Sequence, residues 1–242
     1  IIGLAFIGLL LINYLANKYF IRFDITEDKR YTLSDTTIDI INAVEEPIIV
    51  DVLLKGNFTS EFKRLQLETR QLLEEFNAIN PNIDYNFVNP LEDEPNPERI
   101  IQGMLNIGLV PANVTIQDKG KTSNETVFPW AMANLNDKTV KIPLLRNTYG
   151  ASETERVNNS VQQLEYNFAD AFKKLTLKEK KKLAVIKGNG ELADKYLVDY
   201  LSQAREYYSL GAFNLDSLAN DPEKTLKNLK RFDAMLIAKP TE

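Results

Sequence analysis

The sequence predicts an α/β protein tethered to a membrane by its first residues, and three observations predict it. Residues 1–16 carry no charged side chain. Beyond them, short apolar runs suited to strands alternate with segments whose apolar residues recur at three- and four-residue spacing, the pattern of α/β layering. Third, 44% of the 242 residues are apolar and 26% charged, values of an ordinary globular chain, so disorder is not the default.

The opening run, IIGLAFIGLLLINYLA, would make a helix roughly 24 Å long against a hydrocarbon core of about 30 Å. The sequence opens on Ile1 without a Met, so the expectation is a spanning anchor, residues 1–23, whose upstream part precedes Ile1. Lys18 and Arg22 sit where cations reach headgroups, and Tyr14, Tyr19 and Phe20 suit the interfacial belt. A signal-peptide core and a buried core helix are the alternatives; no small-x-small cleavage site follows the run. Orientation needs the Lys/Arg balance of both flanks, and only one is visible.

Residues 24–177 read as a juxtamembrane segment and one α/β domain. Ser34 can cap a short helix with Asp35 in its first turn and Ile38, Ile41 and Val44 on one face. Residues 48–54 read as a strand buried on both faces. Phe62, Leu65, Thr69, Leu72, Phe76 and Ile79 form a helical stripe that Pro81-Asn82 stops, and Ile83, Tyr85 and Phe87 alternate as a strand. Residues 89–98 (NPLEDEPNPE) form a proline-held acidic loop, followed by a helix near 98–105. Strands are expected at 114–117, 126–128 and 140–144, then one helix carrying Val157, Val161, Leu164, Phe168, Phe172 and Leu175. This order is that of thioredoxin, with Pro111 before a strand where that fold keeps a proline; another small α/β sandwich is the alternative.

Lys178 to Lys182 mark a boundary, and residues 183–242 begin a fresh βαβ pattern. A strand at 183–187, a turn through Gly188, Asn189, Gly190 and Glu191, and a helix at 192–205 with Leu197, Tyr200, Leu201 and Ala204 inward come first. A strand near 208–213, a helix near 223–229 and a fully buried strand at 234–238 follow. Three parallel strands are the first half of a doubly wound, Rossmann-like domain, truncated here.

Composition narrows the chemistry. The chain has no His and no Cys, which excludes imidazole acid–base work, His–metal sites, thiol chemistry and thiolate metal ligation. Where a thioredoxin would carry its dithiol this sequence has Gly56-Asn-Phe-Thr-Ser-Glu61, so such a domain would be a scaffold. The net charge of −5 argues against nucleic acid. Gly188-x-Gly190-x-x-Ala193 has dinucleotide spacing, but any tight strand-to-helix turn wants glycine, and Glu191 would repel a phosphate. The acidic loop lacks a calcium-loop spacing and reads as solvated. No Walker A pattern is present. No catalytic residue, metal ligand or cofactor site is therefore expected.

Several stretches carry a resemblance: Asp24-Ile-Thr-Glu-Asp-Lys-Arg-Tyr-Thr-Leu-Ser34, Glu46-Pro-Ile-Ile-Val-Asp-Val-Leu-Leu54, Phe62-Lys-Arg-Leu65 and Leu72-Leu-Glu-Glu-Phe76. Gly188-Asn-Gly-Glu-Leu192 and Phe232-Asp-Ala-Met-Leu-Ile-Ala-Lys-Pro240 complete the set. In order, over nearly the whole chain, they resemble the auxiliary proteins of ABC transporters, in particular the gliding-motility-associated, GldG-like family of Bacteroidetes. The resemblance implies a bacterial inner-membrane anchor, a periplasmic bulk, a permease partner and, through it, a cytoplasmic ATPase. It carries over no catalytic residue. Arg30 and Tyr31, close to the bilayer, are the candidate partner contacts; bracing the anchor is their other reading. The alternative function is an extracytoplasmic module that binds a nucleotide or sugar on Gly188, Asn189, Gly190 and Glu191.

Overall fold

The computed structural model describes residues 32–118, 121–188, 190–215 and 221–240. The expected anchor, with Arg30 and Tyr31, lies outside them, as does Asn189. Among the described residues no helix is long and apolar enough to cross a membrane. The chain divides into two compact units, Ile1–Asp35 and Thr36–Glu242, and the architecture below belongs to the second. It is mixed α/β, with seven α-helices and three sheets among the described residues.

Helix α1 (Asp35–Asn42) starts at the acidic residue expected to favour its first turn and buries Thr37 and Ile41. Strand β1 (Ile48–Val52) follows. Ile48, Val50 and Val52 are fully buried, but Ile49 is 46% exposed, so β1 is not buried on both faces as its apolar run predicts. The reason is its neighbour: on the other face Asn134 Nδ2 lies 3.2 Å from Asp51 Oδ2, a polar surface that water can reach.

Helix α2 (Ser60–Ile79) is capped by Thr59 and buries Phe62, Leu65, Thr69, Leu73 and Phe76. Leu73, not Leu72, completes the stripe. The one hydroxyl in it is satisfied, because Thr69 donates to the Leu65 carbonyl at 2.8 Å. Strand β2 (Ile83–Phe87) returns parallel to β1, as a helical crossover requires. Helix α3 (Pro97–Asn106) opens on an Asn96 cap with proline in its first turn.

Strands β3 (Ala112–Asp118) and β4 (Lys121–Val127) form a separate antiparallel hairpin. Pro111 therefore precedes this hairpin and not a strand of the main sheet. The central antiparallel strand is β5 (Trp130–Leu135), which the sequence reading did not anticipate; Pro129 is the proline just before it. It pairs with β1 on one side and with β6 (Lys138–Pro143) on the other, giving the order β2-β1-β5-β6. The β5–β6 turn is Asn136-Asp137, with Asn136 at φ 52°, where asparagine is tolerated.

The expected single helix is two, α4 (Glu153–Val161) and α5 (Leu164–Thr176). The break falls at Gln162-Gln163, where the Gln163 amide donates to the Ser160 carbonyl at 2.9 Å and tightens the chain out of the α ladder. Val157, Leu164, Phe168, Phe172 and Leu175 remain buried across it. Phe76 meets Phe168 and Phe172 edge-on at 6.3 and 5.7 Å, so α2 and α5 share one aromatic core.

Strands β7 (Lys181–Lys187), β8 (Tyr208–Asn214) and β9 (Ala234–Leu236) form a parallel sheet in the order β8-β7-β9. Helix α6 begins only at Val198, running Val198–Tyr207 behind a single 3₁₀ turn (Asp194–Tyr196). None of its residues is buried, and Tyr200, expected inward, is 54% exposed. Helix α7 (Pro222–Leu229) leads to β9, which is an edge strand rather than a fully buried one. This sheet meets the first through α5: the Tyr207 hydroxyl donates to Asp170, which Lys174 also holds at 2.9 Å.

Candidate functional site

Two places could carry function: the loop at the carboxyl end of β1, and the turn at the carboxyl end of β7. At the first, Leu53 and Leu54 are buried and Phe58 tucks in behind Gly56. A Cβ on Gly56 would lie 3.1 Å from the Phe58 ring, so glycine lets the loop close over that side chain. Gln66 Nε2 ties the loop down through the Leu54 carbonyl at 2.7 Å. Two hydroxyls, Thr59 and Ser60, stand at the helix start, and the Thr59 one is built into the framework. It accepts from the Phe62 amide at 3.4 Å and donates to Glu153 Oε1 at 2.8 Å, which links the N-termini of α2 and α4. A hydroxyl used in both directions by the framework holds helices together; it is not poised as a nucleophile. Beside it, Ser152 and Glu155 form a reciprocal capping box, and the Ser152 amide and hydroxyl hold the Glu155 carboxyl below its usual range. Lys55 pairs with Glu92 of the acidic loop at 2.6 Å, which ties that loop to the end of β1.

The second place has a topological reason to exist. In the order β8-β7-β9 the chain leaves β7 to one side and comes back on the other, so the carboxyl ends of β7 and β9 flank a switch point, where open α/β sheets open a crevice. Gly188 and Gly190 turn the chain there at φ 109° and 70°, a region costly for any side chain. The Leu192 amide then donates to the Ala238 carbonyl at 2.9 Å, which pins this loop to the segment beyond β9. Lys187 pairs with Asp194 across the turn at 2.5 Å. The dinucleotide reading, however, needs the glycines to open directly onto a helix N-terminus. Here α6 starts eight residues after Gly190, at Val198, so no helix amide cluster points at the turn. The sequence spacing therefore overstates the likeness to a pyrophosphate cradle.

A cleft of about 240 Å³ lies among the α1–β1 loop, the β5–β6 turn and the end of α5. It is smaller than usual ligand pockets, and two of its charges are engaged with each other. Lys178 meets Glu45 at 2.9 Å, and Asn136 Nδ2 donates to Glu46 at 2.6 Å. The Lys178 ammonium holds the Glu45 carboxyl below its ordinary range, and Glu45 raises Lys178 in return. Among the described residues no group of three or more acidic side chains could hold a metal ion.

The family described as Domain of unknown function (DUF7088) matches residues 27–134, from the polar stretch before α1 almost to the end of β5. No curated protein and no solved structure matches the chain.

Proposed function

We propose that the chain is a non-catalytic, membrane-anchored accessory subunit of an ABC-type transporter complex of the gliding-motility kind. Its anchor holds it in a bacterial inner membrane, its α/β bulk lies in the periplasm, and it works by contact with a permease and, through that, a cytoplasmic ATPase. The observation that carries the reading is the loop after β1. The sheet order β2-β1-β5-β6, with β5 and β6 antiparallel and helices α2 and α5 packed together, supports a thioredoxin-like assignment for the first domain. In that assignment residues 56–61 occupy the reactive corner; they bring no sulfur, and the Thr59 hydroxyl among them is committed to capping. A fold kept with its reactive corner filled by framework residues is suited to holding partners. The parallel β8-β7-β9 sheet supports, in the same way, a doubly wound second domain.

Purification of the tagged chain in mild detergent tests this directly. A permease and an ATPase should accompany it, and Arg30→Ala or Tyr31→Ala should reduce their recovery without lowering the thermal midpoint. A chain recovered alone under conditions that preserve other membrane complexes overturns the reading.

A second reading rests on the switch point. There, Gly188, Gly190 and Glu191 lie beside the end of β9, where a nucleotide or sugar could be held by the sheet's carboxyl edge. Calorimetry with nucleotides and simple sugars decides it: saturable heat, abolished by Gly188→Val, supports the reading, and flat titrations exclude it.

A further inference from the structure

We infer that β3 is a self-association edge: two copies of the chain pair their β3 strands antiparallel about Thr115, joining two hairpins into one four-stranded sheet. Among the described residues the hairpin pairs with nothing but itself, since its sheet contains only β3 and β4. Among the described residues, no backbone hydrogen bond outside the hairpin's own ladder involves residues 112–127. Each strand therefore presents a row of backbone donors and acceptors along its outer side, and the chemistry that satisfies such a row is another extended backbone.

Edge strands are normally blunted by proline, a bulge, a charge or shortness. Strand β3 uses none of these over its length. Its register with β4 runs unbroken through seven pairs, from Ala112↔Val127 to Asp118↔Lys121, with no bulge. Pro111 stands before the strand, and the only charge, Asp118, is at its far end. Strand β4 differs, because it carries a charge, Glu125, exposed within its length.

The sequence of β3 also selects the occupant. Antiparallel pairing about Thr115 sets Asn113 opposite Gln117, Val114 opposite Ile116, and Thr115 opposite itself, so over the central five positions polar meets polar and apolar meets apolar; Ala112 and Asp118 meet at the ends. An axis falling between residues on either side of Thr115 would oppose Thr115 to Val114 or Ile116, and the Thr115 axis is the one that pairs all seven positions. On the exposed face Thr115 already donates to Asn124 Oδ1 at 2.9 Å, and Thr126 to Asn113 Oδ1 at 3.4 Å, so this side is ordered and uncharged. A self-complementary edge closed by a two-fold axis is the commonest way for a chain to pair with its own copy.

The absence of cysteine makes the test clean. In the full chain in mild detergent, Thr115→Cys should be linked to a covalent dimer by a short bis-maleimide. Glu125→Cys should not, because its two copies would lie three strand spacings apart, about 14 Å. Thr115→Lys should weaken dimerisation at least about tenfold, as like charges meet on the axis. Mixing Thr115→Lys with Thr115→Asp chains should restore the dimer, which shows that both variants fold. A wild-type chain that stays monomeric at all concentrations overturns the proposal, including the case in which the edge takes a strand of another protein. So does a dimer that Thr115→Lys leaves intact.

Discussion

Gly211 lies midway along β8, and a Cβ there would come within 2.8 Å of Phe232 Cε1 and 3.0 Å of its Cζ. The ring also meets Phe213 at 6.0 Å, so it cannot swing away without giving up that contact. Gly211→Ala should therefore destabilise the fold by about 1–3 kcal/mol, read from urea unfolding. Phe232→Leu in the same chain should recover part of the loss, because the two sites are in contact and their effects do not add. Glu155 gives a second expectation. Its folded-state carboxyl is held low by Ser152, so its contribution is present above the ordinary carboxylate value of 4.5 and fades as pH falls through the lower, folded value. Glu155→Gln keeps an acceptor but cannot titrate, and should make the acid limb of the stability profile shallower.

At the scale of elements, Asn80 shows how one side chain sets the place of a helix. Its Nδ2 donates to the carbonyls of Ile41 at 2.8 Å, in the last turn of α1, and of Val44 at 2.9 Å, just beyond it, while its own amide closes α2. Asn80→Ala should cost about 1–2 kcal/mol through the two lost hydrogen bonds between α2 and the end of α1, measured by thermal and urea unfolding. Helix α2 was legible in the sequence because a long apolar stripe has a period that nothing else produces. Strand β5 was not: Trp130-Ala-Met-Ala-Asn-Leu135 contains no β-branched residue, and its alternation shows only once Ala131, Ala133 and Leu135 are known to face the core. The Asn136-Asp137 turn beside it was the available signal. The break between α4 and α5 left no trace in the pattern because the buried stripe runs straight through it. The glycines of the β7 turn were legible as backbone requirements, but their distance from a helix N-terminus is set by the path of residues 191–197, which spacing alone does not reveal.

For the whole molecule, composition makes a simple prediction. Imidazole and thiol are the side chains that ordinarily titrate between about pH 6 and 9, and the chain has neither. Its urea midpoint should stay level across that interval and fall on the acid side, where carboxylates such as Glu155 and Glu45 take up protons. A pronounced slope near neutrality would point to a strongly shifted Lys, Asp or Glu.

Strand β7 is the one strand of the β8-β7-β9 sheet paired on both sides, through seven register pairs with β8 and three with β9, and its run Leu183-Ala-Val-Ile186 is buried throughout. Local opening should therefore proceed inward from β9, with β7 amides the slowest in this sheet to exchange with solvent. The Gly188 turn continues from the strand that opens last, yet its far side hangs on the Leu192–Ala238 bond to the segment that follows the strand expected to open first. One bank of that crevice is thus kinetically fixed while the other breathes, and whatever widens the crevice does so by letting go of β9.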